Sequence, residues 1–249
     1  KSDTPLAACN ACYREEQNGY ESRRIKENFK TVIFTESAFD KSYEQSTYKF
    51  ETNTERLPID WHVDFGNECN FKCGYCHPKY STSFYKEIVD NGPITTVKNH
   101  RLDIDYLKLY QREEDNPYVD AFWKWWPTLY PSLKQFRITG GEPLLNKNTF
   151  RVLDYIIENP SEDLTLSINT NLNVPQDLFD KFVEKLQIIQ AGKKVKLLQI
   201  FTSAEAHGKQ AEYIRYGMNY QDWIDNMERL IVDVPAVAIT VMATYNILS

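Results

Sequence analysis

Cys69-Asn70-Phe71-Lys72-Cys73-Gly74-Tyr75-Cys76 places three cysteines at spacings of four and three, directly after an apolar run that reads as a strand. Three thiolates on one tight loop can hold three corners of an iron–sulfur cube, for which cysteine is the usual ligand. The fourth iron then has no protein ligand and is open to a substrate or cofactor. Two other uses of these cysteines stand beside that one. A structural zinc site wants four ligands in closed tetrahedral geometry, usually as two spaced pairs. His77 is the nearest candidate for a fourth ligand, and next to Cys76 it would strain the chelate. Disulfides suit secreted chains, and no signal-peptide pattern of basic, apolar and small-residue segments is present.

Outward from the loop, the chain reads as alternating strands and helices. Pro58-Ile59-Asp60-Trp61-His62-Val63-Asp64-Phe65-Gly66 alternates apolar and polar residues, which predicts a half-buried first strand delivering the cysteine loop at its C-terminal end. In barrels of strands and helices that end carries the chemistry. His62 and Asp64 fall on the polar phase and read as a hydrogen-bonded structural pair facing the barrel interior or its mouth. Residues 79–130 form a long irregular insertion. It holds a short helix around Tyr106, Leu107, Leu109 and Tyr110 and another over Phe122-Trp123-Lys124-Trp125-Trp126, ending before Pro127. Core packing is the more frequent use of such tryptophan area and is expected here over a substrate platform.

Leu133 to Thr139 reads as the second strand and runs into Gly140-Gly141-Glu142-Pro143. Two glycines let a backbone approach a ligand closely, and a carboxylate can accept hydrogen bonds from an ammonium group; an ordinary Gly-Gly turn fits the four residues as well. Asn146 to Glu158 makes a helix with Phe150, Leu153, Ile156 and Ile157 on one face, stopped by Asn159-Pro160. Leu164 to Asn171 is the third strand. Pro175 opens a helix carrying Leu178, Phe179, Phe182, Val183 and Leu186 at helical spacing. Val195 to Thr202 suits a fully buried parallel strand. Ser203-Ala204-Glu205-Ala206 follows, then a helix with Ala211 to Arg215 and with Trp223, Met227, Leu230 and Ile231 along one face, then a fifth strand from Val237 to Ala243. Serine or glutamate at a strand end can hydrogen-bond ribose hydroxyls, and an arginine one helical turn in can pair with a carboxylate. An exposed network of charge pairs at a helix start is the alternative for Ser203, Glu205 and Arg215. The succession implies an α/β fold with a parallel sheet, hence a partial TIM-type barrel.

Composition narrows the class. With 249 residues, 42% hydrophobic and 14% aromatic, the chain can bury a sizeable core, most simply one large domain with a small appendage. No apolar run approaches 18 residues, so a membrane span is not expected. A net charge of −6 argues against a generic nucleic-acid surface, which is normally basic. All five cysteines sit in two tight clusters, which suits a reducing cytoplasm and metal chemistry. Residues 1–57 are polar and contain the second cluster, Cys9-Asn10-Ala11-Cys12. That pair can be half of a zinc site or a turn with two free thiols. Glu16 can add an oxygen ligand or stay solvated, and 26–56 reads as a connector. Opening on Lys1, the chain reads as processed or as a fragment.

A CxxxCxxC loop with an aromatic residue, Tyr75, before its last cysteine resembles the signature of radical S-adenosylmethionine enzymes, and Gly140-Gly141-Glu142-Pro143 one strand later resembles their GGEP motif. The resemblance covers about residues 58–249 and implies a partial (β/α)6 TIM-type barrel, its sixth and final strand missing, preceded by a small irregular N-terminal segment. It implies that Cys69, Cys73 and Cys76 hold a [4Fe-4S] cluster whose open iron chelates S-adenosylmethionine. An electron from the cluster then yields a 5'-deoxyadenosyl radical that abstracts hydrogen from the substrate. Gly140 to Pro143 would meet the methionyl amino group and Tyr75 the adenine. Asn171, Ser203, Glu205 and Arg215 would be further cofactor contacts, although Leu172 stands where relatives have glycine after the asparagine. Cys9-Asn10-Ala11-Cys12, with Glu, Gly, Ser and Arg after it, resembles the end of an N-terminal twitch- or SPASM-type auxiliary-cluster module, implying a second iron–sulfur cluster with ligands further upstream. Such relatives modify peptides or small metabolites and take electrons from a flavodoxin or ferredoxin. An oxygen-sensitive cytoplasmic enzyme is expected. The alternatives are an RNA-modifying or activase member, for which no basic or docking appendage is evident, and a zinc- or cluster-containing binding module or electron carrier.

Overall fold

The computed structural model describes residues 10–22, 25, 57–92, 104–108 and 116–248. Contacts divide the chain into Lys1–Glu55 and Arg56–Ser249. In the first unit the described element is α1 (Asn10–Gln17), closed by Gly19 at φ 79°, a left-handed turn that glycine adopts without steric penalty. Ser22 donates to the Glu16 carboxylate, so Glu16 is engaged in the turn rather than solvated. Cys12 is a half-buried free thiol on this helix; Cys9 and the connector 26–56 lie outside the described residues.

The second unit starts with β1 (Asp60–Asp64), in which Trp61 and Val63 are half-buried while Asp60, His62 and Asp64 are exposed, the period-two pattern predicted. The cysteine loop contains the two-residue strand β2 (Lys72–Cys73). Helices α2 (Thr82–Asn91), α3 (Ile104–Lys108) and α4 (Pro117–Leu129) follow. Then come β3 (Gln135–Thr139), α5 (Lys147–Glu158), β4 (Ser161–Asn169), α6 (Gln176–Ala191) and β5 (Val195–Ser203). The described chain continues with α7 (Gly208–Ile214), the two-residue β6 (Arg215–Tyr216), α8 (Tyr220–Asp233) and β7 (Ala238–Met242).

β1, β3, β4, β5 and β7 lie side by side in that order, all parallel, with helices at every crossover. The fold is α/β, a five-stranded portion of a barrel with β1 and β7 as its edges; the described residues do not close it. Phe136, Ile138, Leu166, Ile168 and Ile200 form the fully buried face of the sheet. On the other face Arg137, Ser167 and Gln199 share one register row.

Three local expectations change. Helix α4 runs through Pro127 instead of ending before it. Proline forgoes one intrahelical bond, and here the loss falls in the last turn, just before Tyr130–Ser132 tighten into a 3₁₀ turn. The buried face of α4 secures it: Trp126, fully buried, lies 4.7 Å from Phe136 and 5.0 Å from Phe122, ring centre to ring centre, which is core packing. Arg215 is not inside a helix, because the chain leaves α7 at Ile214 and turns at Gly217, φ 109°, before α8 begins. On α8, Trp223 and Leu230 face the core while Ile231 is 56% exposed and off that face. Of the short insertion helix, Leu107 is fully buried, while Leu109 and Tyr110 lie outside the described residues.

Candidate functional site

The loop leaving β1 is stitched to the turn leaving β3. Gly141 N donates to Gly66 O (3.1 Å) and Glu142 N to Glu68 O (2.6 Å), so pairing of the two strands continues beyond them. This approach explains both glycines. A Cβ on Gly140, which sits at φ 125°, would lie 2.5 Å from Asp64 Oδ1 and 2.7 Å from Gly66 O; one on Gly141 would lie 2.3 Å from Glu68 O. The close neighbour that requires glycine is therefore the backbone leading to the first cysteine.

The other side of the loop is held by the start of α2. Ser81 donates to Phe71 O (2.6 Å) and caps the helix by accepting from Phe84 N (3.1 Å). Cys69 N donates to Thr82 Oγ1 (3.2 Å). Phe65 and Phe71 are buried in the core on either side of Cys69. Cys76 N donates to Cys73 O (2.9 Å), closing a turn that brings the last two thiols round.

Cys69, Cys73 and Cys76 are all free thiols, Cys73 buried and the others half-buried. Burial pushes the Cys69 thiol up to about 12 and the Cys73 thiol up to about 11, and it also raises Cys76. Each of Cys69 and Cys73 further feels the negative charge of the cysteines that follow it, whereas Arg215 favours the thiolate of Cys73 and Cys76. Among the described residues no three His, Cys, Asp or Glu side chains gather as they would around a single metal ion. A cube makes a different demand, since each thiolate takes its own iron. His77 is turned to another use: its Nδ1 accepts from Lys79 N (3.2 Å) and caps the Pro78–Tyr80 turn.

Glu142 is buried, and its carboxylate accepts from Thr170 Oγ1 (2.7 Å), Leu144 N (3.0 Å) and Asn171 N (2.6 Å). An ammonium group is not needed to satisfy it; the side chain braces the turn against the end of β4. Burial pushes this carboxyl up to about 7, against the pull of the three donors. Across about pH 4.5–7 the folded chain thus keeps a proton that the unfolded chain has lost. Stability from this group is greatest at the acid end and declines by about 3 kcal/mol as pH rises to about 7, where the decline ends. Thermal melts should show a higher midpoint at pH 5.5 than at pH 7.5, by more than in Glu142→Gln; equal pH slopes for the two proteins would contradict this.

Asn171 donates through Nδ2 to Asn70 Oδ1 (2.8 Å), and Asn70 in turn donates to Asn173 O (2.7 Å), tying the end of β4 to the cysteine loop. Leu172 stands at φ 55° with its side chain fully buried. The left-handed conformation costs a non-glycine residue roughly 1–2 kcal/mol, while burying a leucine is worth roughly 1.5–3 kcal/mol. Packing therefore outweighs strain at the position where glycine was expected.

Behind the loop, Tyr75 OH donates to Glu205 Oε1 (2.9 Å), and Arg215 forks onto the same carboxylate, Nε to Oε2 (2.7 Å) and Nη2 to Oε1 (2.6 Å). The pairing holds the Glu205 carboxyl below the usual carboxylate range although burial opposes it. Arg215 stands opposite Cys73 in the β2–β6 pairing. Residues read as separate cofactor contacts are thus partners of one another. Ser203 ends β5 opposite Met242. His62 pairs with Asp60 (3.4 Å), whereas Asp64 accepts from Gly66 N (2.9 Å), so the expected His62–Asp64 pair does not form. Asn70, Thr170 and Arg137, whose Nε donates to Asn169 Oδ1 (2.8 Å), were not singled out from sequence; a polar residue between ligand cysteines was the available signal for Asn70.

An open parallel α/β sheet whose first strand delivers three free thiols, laced to a Gly-Gly-Glu-Pro turn, is the arrangement expected of the radical S-adenosylmethionine superfamily, and the chain's similarity to curated relatives supports that class. Those relatives are GTP 3',8-cyclases, which are radical S-adenosylmethionine enzymes. The protein of Picosynechococcus sp. is 28% identical over 138 residues, 53% of this chain and 34% of its own length. That of Nostoc sp. is 30% identical over 125 residues, 49% of this chain and 31% of its own. That of Staphylococcus epidermidis is 28% identical over 113 residues, 44% and 26% respectively. The matches span 26–34% of the length of these relatives. No protein-family model matches the chain. Among the described residues no helix is long and apolar enough to cross a membrane.

Proposed function

We propose that this chain carries the catalytic core of an enzyme that reductively cleaves S-adenosylmethionine and takes hydrogen from a peptide or small-metabolite substrate. The observation that carries this reading is the set of three free thiols on one doubly braced loop, with Nδ1 of the neighbouring histidine capping the Pro78–Tyr80 turn. Such a donor set fits a [4Fe-4S] cube with one open iron, held by Cys69, Cys73 and Cys76. When bound, that cluster supplies the electron that generates a 5'-deoxyadenosyl radical from S-adenosylmethionine.

In this reading the protein's own part is placement. The Gly140–Pro143 turn receives the methionyl end, with Glu142 acting from behind by fixing the turn. Tyr75 borders the adenine, and Asn171 and Ser203 line the strand ends beside it. Glu205 and Arg215 serve the same site through their hold on Tyr75 and the loop. Residues 58–249 form the radical domain and 1–57 a twitch-like segment in which Cys9 and Cys12 contribute to a second cluster. A flavodoxin or ferredoxin delivers electrons, and thiol-rich, oxygen-sensitive sites of this kind suit the cytoplasm. The relatives' GTP is one small metabolite of the class proposed.

Anaerobic reconstitution with iron and sulfide, followed by electron paramagnetic resonance of the reduced protein, tests the proposal. A reduced [4Fe-4S] signal that shifts on adding S-adenosylmethionine is expected. A chain that holds zinc instead, or a cluster signal indifferent to S-adenosylmethionine, would leave a binding module or an electron carrier.

A further inference from the structure

We propose that Arg215 is a positioning residue whose guanidinium, locked by Glu205 and aimed at Cys73, raises the electron affinity of a cluster held on the cysteine loop. This rests on the functional reading above but concerns a role that reading does not contain. Three observations carry it. The fork between Arg215 and Glu205 is enclosed, with the arginine side chain 9% exposed and the glutamate side chain fully buried; a bidentate guanidinium–carboxylate pair fixes direction as well as distance. Glu205 is itself anchored, because Oε1 also accepts from Tyr75 OH (2.9 Å) and Thr244 N (3.2 Å). With Nε and Nη2 spent on Glu205, Nη1 is the nitrogen left to face the loop, and it lies 4.0 Å from Cys73 Sγ.

The main chain sets the same arrangement independently. Arg215 and Cys73 are register partners in the β2–β6 pairing, and Gly74 N donates to Ile214 O (2.8 Å). The backbone pairing fixes the Arg215 Cα opposite Cys73, and the guanidinium cannot swing away from the sulfur without breaking the ion pair. The pair is neutral as a whole, but its positive end is the one within 4.0 Å of the Cys73 sulfur. Charge on, and hydrogen bonds to, ligand sulfurs tune iron–sulfur potentials, and a nearby positive charge favours the cluster form carrying one more electron.

The test is a redox titration of the reconstituted protein followed by electron paramagnetic resonance, in wild type, Arg215→Gln, Arg215→Lys and Glu205→Gln. Arg215→Gln removes the charge and leaves Glu205 behind; its cluster should hold the electron at least tenfold less tightly, a shift of about 59 mV to more negative potential for a one-electron couple. Arg215→Lys keeps the charge and should recover most of that loss, which a purely structural role would not do. Glu205→Gln removes the opposing negative charge and should shift the potential to more positive values, and this comparison decides the matter if Arg215→Gln fails to load a cluster. A loaded Arg215→Gln or, where that fails to load, a loaded Glu205→Gln with the wild-type potential would overturn the inference while leaving the enzyme reading intact. A wild-type chain that takes up no cluster would overturn both.

Discussion

Cys73→Ala should leave a folded chain that retains no stable cluster and yields no 5'-deoxyadenosine above background. Of the three thiols it is the buried one, standing at the centre of the loop in the bridge to Arg215 and in the turn to Cys76. Two thiolates then remain for a cube that already lacks a fourth protein ligand, and the missing corner is the one that faces the Arg215 guanidinium. The fold loses little, since exchanging a small buried thiol for a methyl group belongs with mutations of about 1 kcal/mol. Loss of a single partner in a ligand shell already costs 10–100-fold, so loss of a ligand should reduce cleavage by more than about 100-fold. Iron and sulfide per chain, cleavage product, and a thermal melt separate the outcomes. Wild-type iron content in the variant would refute the ligand assignment.

Gly141→Ala should be the most damaging single methyl group that can be added near the site. Its Cβ would be 2.3 Å from Glu68 O and 2.8 Å from the Asn67 and Glu68 carbonyl carbons, all backbone atoms with no rotamer to change. Either the turn or the cysteine loop must move, at the expense of the Gly141–Gly66 and Glu142–Glu68 bonds. Overpacking costs about 1–3 kcal/mol and each hydrogen bond about 0.5–1.5 kcal/mol, so a loss of about 2–5 kcal/mol is expected in denaturant unfolding. Gly74→Ala is the control from inside the loop itself, because a Cβ there meets nothing nearer than 3.7 Å. If the two variants unfold alike, the close approach at Gly141 has been misjudged.

These two sites also show what sequence could and could not convey. Alternation in Asp60–Asp64 and the apolar faces of α5 and α6 are local patterns, and they located strands and helices to within a few residues. The cysteine spacing is equally local. The partner of Cys73 is not: Arg215 reaches it only after three more strands of the sheet, and a helical pattern through Ile214 hid the change of direction at Gly217. Glu142 read as a ligand contact because a carboxylate after two glycines is chemically available, and only the packing of β4 beside β3 reveals the donors that the chain itself aims at its oxygens. For the same reason the backbone neighbour that the two glycines accommodate, the loop leaving β1, was not visible in the sequence. Pro127 was read as a helix stop because the local penalty is visible in sequence, whereas the burial of Trp126 that outweighs it is not.

The parallel pairing of β1 with β3 has a kinetic side. Asp60 meets Gln135 across the whole insertion, a far longer span than the one joining Gln135 to Thr165. Loop-closure entropy grows by only about 0.6 kcal/mol per doubling of length, so the final stability hardly registers the difference, but distant pairings form late. The β3–β4–β5 layer should therefore assemble first and β1 dock last, bringing the thiols to their place as the closing event of folding. Hydrogen exchange in the metal-free protein should find β1 amides opening before those of β4 and β5. Metal uptake, by binding only the closed form, would act as a latch on a late-made contact of the domain.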